Sequence, residues 1–148
     1  MVFGDVDARN ELVKAIVALW KNSPFKDVSI YHENGPTPNL DQLSYFVSYE
    51  IQMVTSKQMT LGEKPIDRTS GFVQFYFAGK AGTGTLKLLT MRDFVKQALK
   101  AKVFKSLKTT IPSPGRSDKD RGWHIETLIV PFYFDGMPIA MNHSDETP

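Results

Sequence analysis

The sequence predicts an α+β fold: a single mostly antiparallel sheet of about four to five strands, two main helices packed on one face, and long inter-strand loops. Three observations support this prediction. Two stretches have the apolar spacing of a helix, five others have the composition or alternation of strands, and polar, turn-rich segments separate them. The predicted order is helix, two strands, strand, helix and two strands.

Two helices are predicted from apolar residues that recur every three to four positions. The first covers about residues 7–21, where Leu12, Ile16 and Leu19 form the apolar stripe, and the second covers about residues 86–104. Since each stripe has to be buried, we expect both helices to pack against the sheet.

Five segments are predicted to be strands. A short strand at residues 28–32 precedes the clearest alternation in the sequence, at residues 45–53, and a third strand follows at residues 71–78. Residues 107–111 and 123–134 are predicted to form a final antiparallel pair.

Two long polar segments are predicted to be loops, at residues 55–70 and 112–122, and the second of them is basic. The whole chain, residues 1–148, is expected to form a single domain. Its core would span about residues 5–134, and residues 135–148 would form a C-terminal tail.

Composition excludes several classes of protein. Of 148 residues, 41% are hydrophobic and 23% charged, which is typical of a globular domain, and no apolar run approaches the roughly 20 residues of a transmembrane helix. We expect no secretory signal and no membrane association. Because the chain has no cysteine, disulfides and thiol chemistry are excluded, and a reducing cytoplasm is the expected compartment of synthesis.

The predicted strands contain more aromatic residues than one buried sheet face requires. Two helices can cover one face, so aromatic surface is left over on the other face or at an edge, and a second copy of the chain is the simplest cover. The alternative is that the long loops fold back over that face. The expected subunit interface consists of Phe72, Phe75, Tyr76, Phe77, Phe132, Tyr133 and Phe134.

A glycine-rich turn precedes the second helix, but its spacing is not that of a known phosphate-binding loop. Gly79, Gly82 and Gly84 match neither the dinucleotide-binding pattern nor the P-loop pattern. A flexible turn in which Thr83 or Thr85 caps the helix explains the same residues. We therefore predict no nucleotide site and no cofactor.

Residues that could bind a metal or catalyse a reaction are few. His32, His124 and His143 lack the spacing of metal ligands, and no nucleophile-elbow motif occurs. Glu50 and Glu126, with His124 beside the second, could form a carboxylate site only if the fold brings them together. Solvated strand carboxylates are the simpler interpretation, so we predict no enzyme activity, no metal and no catalytic residue.

Several features in sequence order suggest a family. An opening helix contains residues 11–16, an arginine and a glycine precede the strand in residues 67–77, residues 82–85 introduce a long helix, and a strand containing Trp123 ends near Phe132. Over about residues 5–134 this pattern resembles the tail terminator proteins of long-tailed bacteriophages, including the related tail-completion and neck proteins.

The resemblance implies a virion protein of the tail-neck region that is assembled in the host cytoplasm. Such a subunit forms a hexameric ring that caps the tail tube, ends tube polymerisation and provides the docking surface for the head or neck. The implied partners are copies of itself, the tail-tube protein and a head-completion or neck protein. DNA would pass through the lumen as cargo.

Two groups of basic residues have expected roles in such a ring. Arg92, Lys96 and Lys100 recur every four residues on the second helix and could form a ridge toward the lumen or a partner, although a solvated helix face is the simpler explanation. The residues expected to contact neighbouring rings from the two loops are Lys57, Lys64, Arg68, Arg116, Lys119 and Arg121.

Two other functions agree with the same sequence. One is a different head-tail connector, neck or tube subunit. The other is a small basic nucleic-acid-binding protein, in which Phe72, Tyr76 and Tyr133 would form a stacking platform on an open sheet face.

Overall fold

The computed structural model describes residues 3–32, 42–59 and 66–136. The elements in this part of the chain are α1 (Asp5–Lys21), β1 (Ser29–His32), β2 (Tyr45–Gln58), β3 (Asp67–Lys80), α2 (Leu86–Leu99), β4 (Val103–Phe104), β5 (Leu107–Thr109), β6 (Ser113–Pro114), β7 (Asp118–Asp120) and β8 (Trp123–Gly136).

The protein is α+β with two helices, but the prediction of four to five antiparallel strands is wrong. Within the described residues, eight strands form one curled, mixed sheet with the shape of a half-barrel. The strand order is β1-β2-β3-β8-β5-β4, and β6 and β7 also pair with β8. β1 runs parallel to β2, and the other pairs are antiparallel.

Much of the segment predicted as a loop at residues 55–70 is strand. β2 continues to Gln58 and β3 begins at Asp67, and the two pair in register from Thr55 opposite Ser70 to Gln58 opposite Asp67. A polar sequence extends these strands because the ladder is made by main-chain groups, which need no apolar side chain. Residues 60–65 lie outside the described residues.

The segment predicted as a basic loop at residues 112–122 also contains strands. β6 pairs with β8 at Leu128 and Ile129, and β7 pairs with it from Trp123 to Ile125. With β5, which pairs with β8 at residues 132–134, three short strands share one edge of β8. Pairs of two or three residues are too short to show an alternation in sequence, which is why the strand count was underestimated.

The second helix is shorter than predicted. α2 ends at Leu99, and two residues later Ala101 has a φ of 51°, a left-handed conformation that a helix cannot contain. Val103 and Phe104, expected in the helix, form β4. At the other end of the chain β8 extends to Gly136, and the rest of the predicted tail lies outside the described residues.

Both helices pack on the same face of the sheet and enclose the core. Trp20 at the end of α1 is buried, and its Nε1 donates a hydrogen bond to the carbonyl oxygen of Val28 at 2.8 Å. Burying a large apolar side chain contributes about 1.5–3 kcal/mol, so this face provides most of the stabilisation. The core side chains include Ala8, Leu12, Ile16, Trp20, Val47, Tyr49, Val73, Phe75, Phe77, Leu88, Met91, Val95, Leu99, Leu107, Leu128, Val130, Phe132 and Phe134.

Neither helix in the described residues is long and apolar enough to cross a membrane.

Candidate functional site

The sheet face opposite the two helices has no helix on it within the described residues. We call it the open face and define it by five half-buried side chains: Phe46 on β2, Phe72 and Tyr76 on β3, and Ile129 and Tyr133 on β8. A cavity of about 620 Å³ lies between this face and residues 114–118. The open face therefore combines partly exposed apolar surface with a concave site.

The residues predicted for the subunit interface divide between the two faces. Phe72, Tyr76 and Tyr133 lie on the open face, as a subunit contact requires. Successive residues of a strand point to opposite sides of the sheet, so the residues next to these three point toward the helices. Phe75, Phe77, Phe132 and Phe134 are at most 2% exposed and pack in the core.

Tyr76 and Glu50 form a polar pair in the open face. The Tyr76 hydroxyl donates a hydrogen bond to Glu50 Oε1 at 2.9 Å, and Gln52 Nε2 donates to the same oxygen at 3.2 Å. Burial, together with the hydrogen bond to Glu50 and its negative charge, raises the pKa of Tyr76 to about 12. Glu50 thus has a structural role on this face.

Tyr133 lies under two cations at the far end of the open face. The Arg68 guanidinium is 4.4 Å from the centre of the Tyr133 ring, and Lys108 Nζ is 6.0 Å from it. Arg68 also donates two hydrogen bonds to Asp135, at 2.8 and 3.1 Å, which lower the pKa of Asp135. Arg68 was predicted to contact a neighbouring ring, and within the subunit it pairs with Asp135 and Tyr133.

A second polar cluster lies on the helix side of the sheet around Glu126, whose side chain is 8% exposed. Arg92 Nη1 from α2 is 3.2 Å from Glu126 Oε1, and His124 Nε2 is 2.6 Å from Oε2. Ser117 Oγ donates to the same carboxylate at 2.8 and 2.9 Å. The cluster ties α2, β8 and the segment before β7 together.

Glu126 is held in its charged form. Burial by itself would raise its pKa, but hydrogen bonds from Ser117 and His124 and the nearby charges of His124 and Arg92 outweigh burial and lower the pKa. The ionised carboxylate compensates the partly buried Arg92.

The order of contacts in this cluster differs from that of a catalytic triad. In a triad the histidine links the nucleophilic serine to the acid. Here Ser117 and His124 both bind the carboxylate of Glu126, and within the described residues no hydrogen bond joins Ser117 to His124. Sequence reasoning missed Ser117 because its partner is on another strand, whereas the His124-x-Glu126 spacing does place those two side chains on one face.

Glu50 and Glu126, the pair considered as a carboxylate site, lie on opposite faces of the sheet. Glu50 pairs with Gln74 in the open face, and Glu126 pairs with the core residue Phe77. Among the described residues no group of three or more His, Asp or Glu side chains could hold a metal ion. His32 contacts Tyr49 at the end of β1, and His143 lies outside the described residues.

The basic ridge predicted on the second helix is divided. Arg92 points to the sheet and binds Glu126, Lys96 is half-buried, and Lys100 is exposed after the last helical residue. Of the predicted loop residues, Lys57, Arg116, Lys119 and Arg121 are exposed on β2 and around β7, and Lys64 lies outside the described residues.

The predicted helix cap does not form. Thr83 Oγ1 donates to the carbonyl oxygen of Lys80 at 2.6 Å, and Thr85, at the N-cap position of α2, makes no side-chain hydrogen bond to the helix. Lys87, in the first turn, lies over the Tyr45 ring with Nζ 4.7 Å from its centre.

Comparison with known proteins shows the fold. No family model and no curated protein sequence matches this chain. A solved structure superposes with a TM-score of 0.63 at 12% identity, over 87% of this chain and 92% of the other. At this identity the likeness establishes a shared fold and nothing about activity.

Proposed function

We propose that this protein is a non-catalytic assembly subunit that forms a ring, and that the ring is a bacteriophage tail terminator. The main observation behind the proposal is the open face, where apolar side chains are left without a covering layer in the described part of the chain. A sheet with uncovered apolar side chains on its second face is stabilised when another subunit packs on that face.

The polar clusters favour an assembly role over an enzymatic one. Glu50, Glu126 and Arg68 each have a partner within the subunit, at Tyr76, Arg92 and Asp135. Such groups fix the geometry of the two sheet faces, as a rigid building block requires.

The order of elements supports the more specific part of the proposal. The resemblance to tail terminators rests on an opening helix, a strand preceded by an arginine and a glycine, a second long helix and a final Trp-containing strand, and the chain has α1, β3, α2 and β8 in this order. In a closed ring the contact is heterologous, which means that the open face of one subunit meets a different surface of the next subunit. The ring closes when the repeated rotation from subunit to subunit leads back to the first one.

Electron microscopy of the purified full-length chain tests the proposal directly. Class averages are expected to show closed rings, with a mass of about 100 kDa if six copies of the 16.7 kDa chain assemble. Long tubes would favour a tube subunit instead. Particles that remain single at every concentration, and that also fail to bind the ends of purified phage tail tubes, would contradict the proposal.

A further inference from the structure

A cavity of about 580 Å³ lies at the end of the sheet where β8 begins, away from the open-face cavity. Two turns form its walls. One is the glycine-rich turn between β3 and α2, and the other connects β7 to β8 at Arg121 and Gly122. The turns are joined by a hydrogen bond from the Ala81 N–H to the Gly122 carbonyl oxygen, at 2.7 Å. The cavity is therefore a formed feature of the fold.

The lining of this cavity has a positive charge. Lys119 and Arg121 are exposed on it, and in the part of the chain that the structure describes neither has an ion-pair partner. Lys80 and His124 also line the cavity, and Asp120 is the only acidic residue among the described lining residues. An anion would supply the missing countercharge.

The glycine-rich turn exposes its backbone to the same space. Gly82 and Gly84 have φ values of 91° and 83°, and a Cβ at either position would meet no atom within 4 Å. No acceptor for their N–H groups is found within the described residues. The Thr83 N–H between them donates to the Lys80 carbonyl oxygen at 3.1 Å, so Gly82 and Gly84 offer two separate main-chain donors, and such donors favour anions.

Arg121 is held at the rim in an unfavourable conformation. Its φ is 49°, followed by Gly122 at 84°, which is the pattern of a two-residue hairpin turn with two left-handed positions. Glycine or asparagine is the usual residue at the first position, because a side chain there costs about 1–2 kcal/mol. Turn geometry alone therefore does not explain an arginine here.

We propose that this cavity binds a phosphate group. Lys119 and Arg121 supply charge-assisted hydrogen bonds to its oxygens, and the backbone of the glycine-rich turn supplies neutral donors from the opposite wall. Trp123, also on the lining, offers an aromatic surface to a planar group attached to the phosphate. The phosphate could belong to a nucleic-acid backbone or to a small phosphorylated molecule, and the site lies within one chain, so it does not depend on ring formation.

Titration of ¹⁵N-labelled protein with two kinds of probe tests the site. Inorganic phosphate and a mononucleotide form one arm, and a single-stranded oligonucleotide at 50 and 200 mM KCl forms the other. The amide signals of Gly82, Gly84 and Gly122 and the indole signal of Trp123 are expected to shift. Shifts in the first arm alone indicate a small phosphorylated ligand, and tighter, salt-dependent binding of the oligonucleotide indicates nucleic acid.

Three variants locate the binding. Lys119→Ala with Arg121→Ala should weaken it roughly tenfold, whereas Lys21→Ala with Lys26→Ala, which removes the same charge from an exposed site elsewhere, should leave it within about twofold. Arg121→Gly should weaken binding while its melting temperature is unchanged or higher, because glycine suits the left-handed position. Absence of shifts with both probes at 50 mM KCl, or equal losses in the two double variants, would overturn the proposal.

Discussion

At the scale of single residues, the polar groups of this protein are placed to fix geometry. Glu126 accepts hydrogen bonds from Ser117 and His124 and pairs with Arg92, so one carboxylate connects three separate segments. The sequence showed that Glu126 and His124 share a strand face. Their partners could not be predicted, because Arg92 is 34 residues away along the chain and the packing of α2 alone brings it near.

Glu126→Gln should lower the free energy of unfolding at neutral pH by about 1–3 kcal/mol, because it leaves Arg92 without a countercharge. The folded-state pKa of Glu126 is lowered, so its stabilisation is present above the unfolded pKa and is lost as pH falls through the folded pKa. The variant should therefore lose less stability than the wild type on acidification. Urea unfolding between pH 7 and pH 3 measures this loss of stability, and Asp67→Asn, at an exposed position, is the control. An identical pH dependence of the free energy of unfolding in Glu126→Gln and wild type would contradict the prediction.

Tyr76 should titrate late and make the fold sensitive to alkali. The pKa of Tyr76 is raised to about 12 in the folded state. Its contribution to stability is therefore complete below the ordinary tyrosine pKa and is lost as the pH rises from there through the folded-state pKa. Absorbance at the tyrosinate band, recorded for wild type and Tyr76→Phe, should differ by a step near pH 12. A difference spectrum that titrates at the ordinary pKa would show that the contact with Glu50 does not hold in solution.

At the scale of elements, periodicity predicts what is long and amphipathic. The start of α1 is predicted within two residues, since its apolar stripe covers four turns. The polar ends of β2 and β3, which pair with each other, and the short strands β6 and β7, which pair with β8, were missed because main-chain pairing defines them and their side chains have no apolar pattern. The same limit applies to the interface residues: alternation identifies two faces, and which face the helices cover depends on packing.

Gly71 lies at a position in β3 that leaves no room for a Cβ. A Cβ there would lie 2.1 Å from the backbone oxygen of Gln52 and 2.8 Å from the Phe132 ring, so β2 or β8 would have to move. We expect Gly71→Ala to destabilise the fold by about 2–3 kcal/mol or more in denaturant unfolding. Ser70→Ala, one residue earlier on the same strand, adds no atoms and should cost less than about 1 kcal/mol; equal effects of the two changes would refute the close approach.

At the scale of the whole molecule, the two sides of the sheet differ in what covers them. One side of the sheet has two helices and a core of fully buried aromatic and aliphatic side chains, and the other has the partly exposed Phe72, Tyr76 and Tyr133. This asymmetry, inferred in outline from the surplus of aromatic residues, is the basis for proposing a ring-forming subunit. The basic cavity at the end of the sheet is a separate feature, which the spacing of the glycines did not predict.

Sedimentation velocity across a concentration series tests the central claim, that the open face is the subunit contact. Wild type should shift from monomer to a discrete larger species as concentration rises, and Phe72→Lys with Tyr76→Lys should remain monomeric, because two charges in the contact are costly to bury. Val17→Lys, at an exposed position on α1, should assemble like wild type. A folded open-face variant that assembles as well as wild type would contradict the account, as would a wild-type protein that is monomeric throughout and also fails to bind the ends of purified tail tubes.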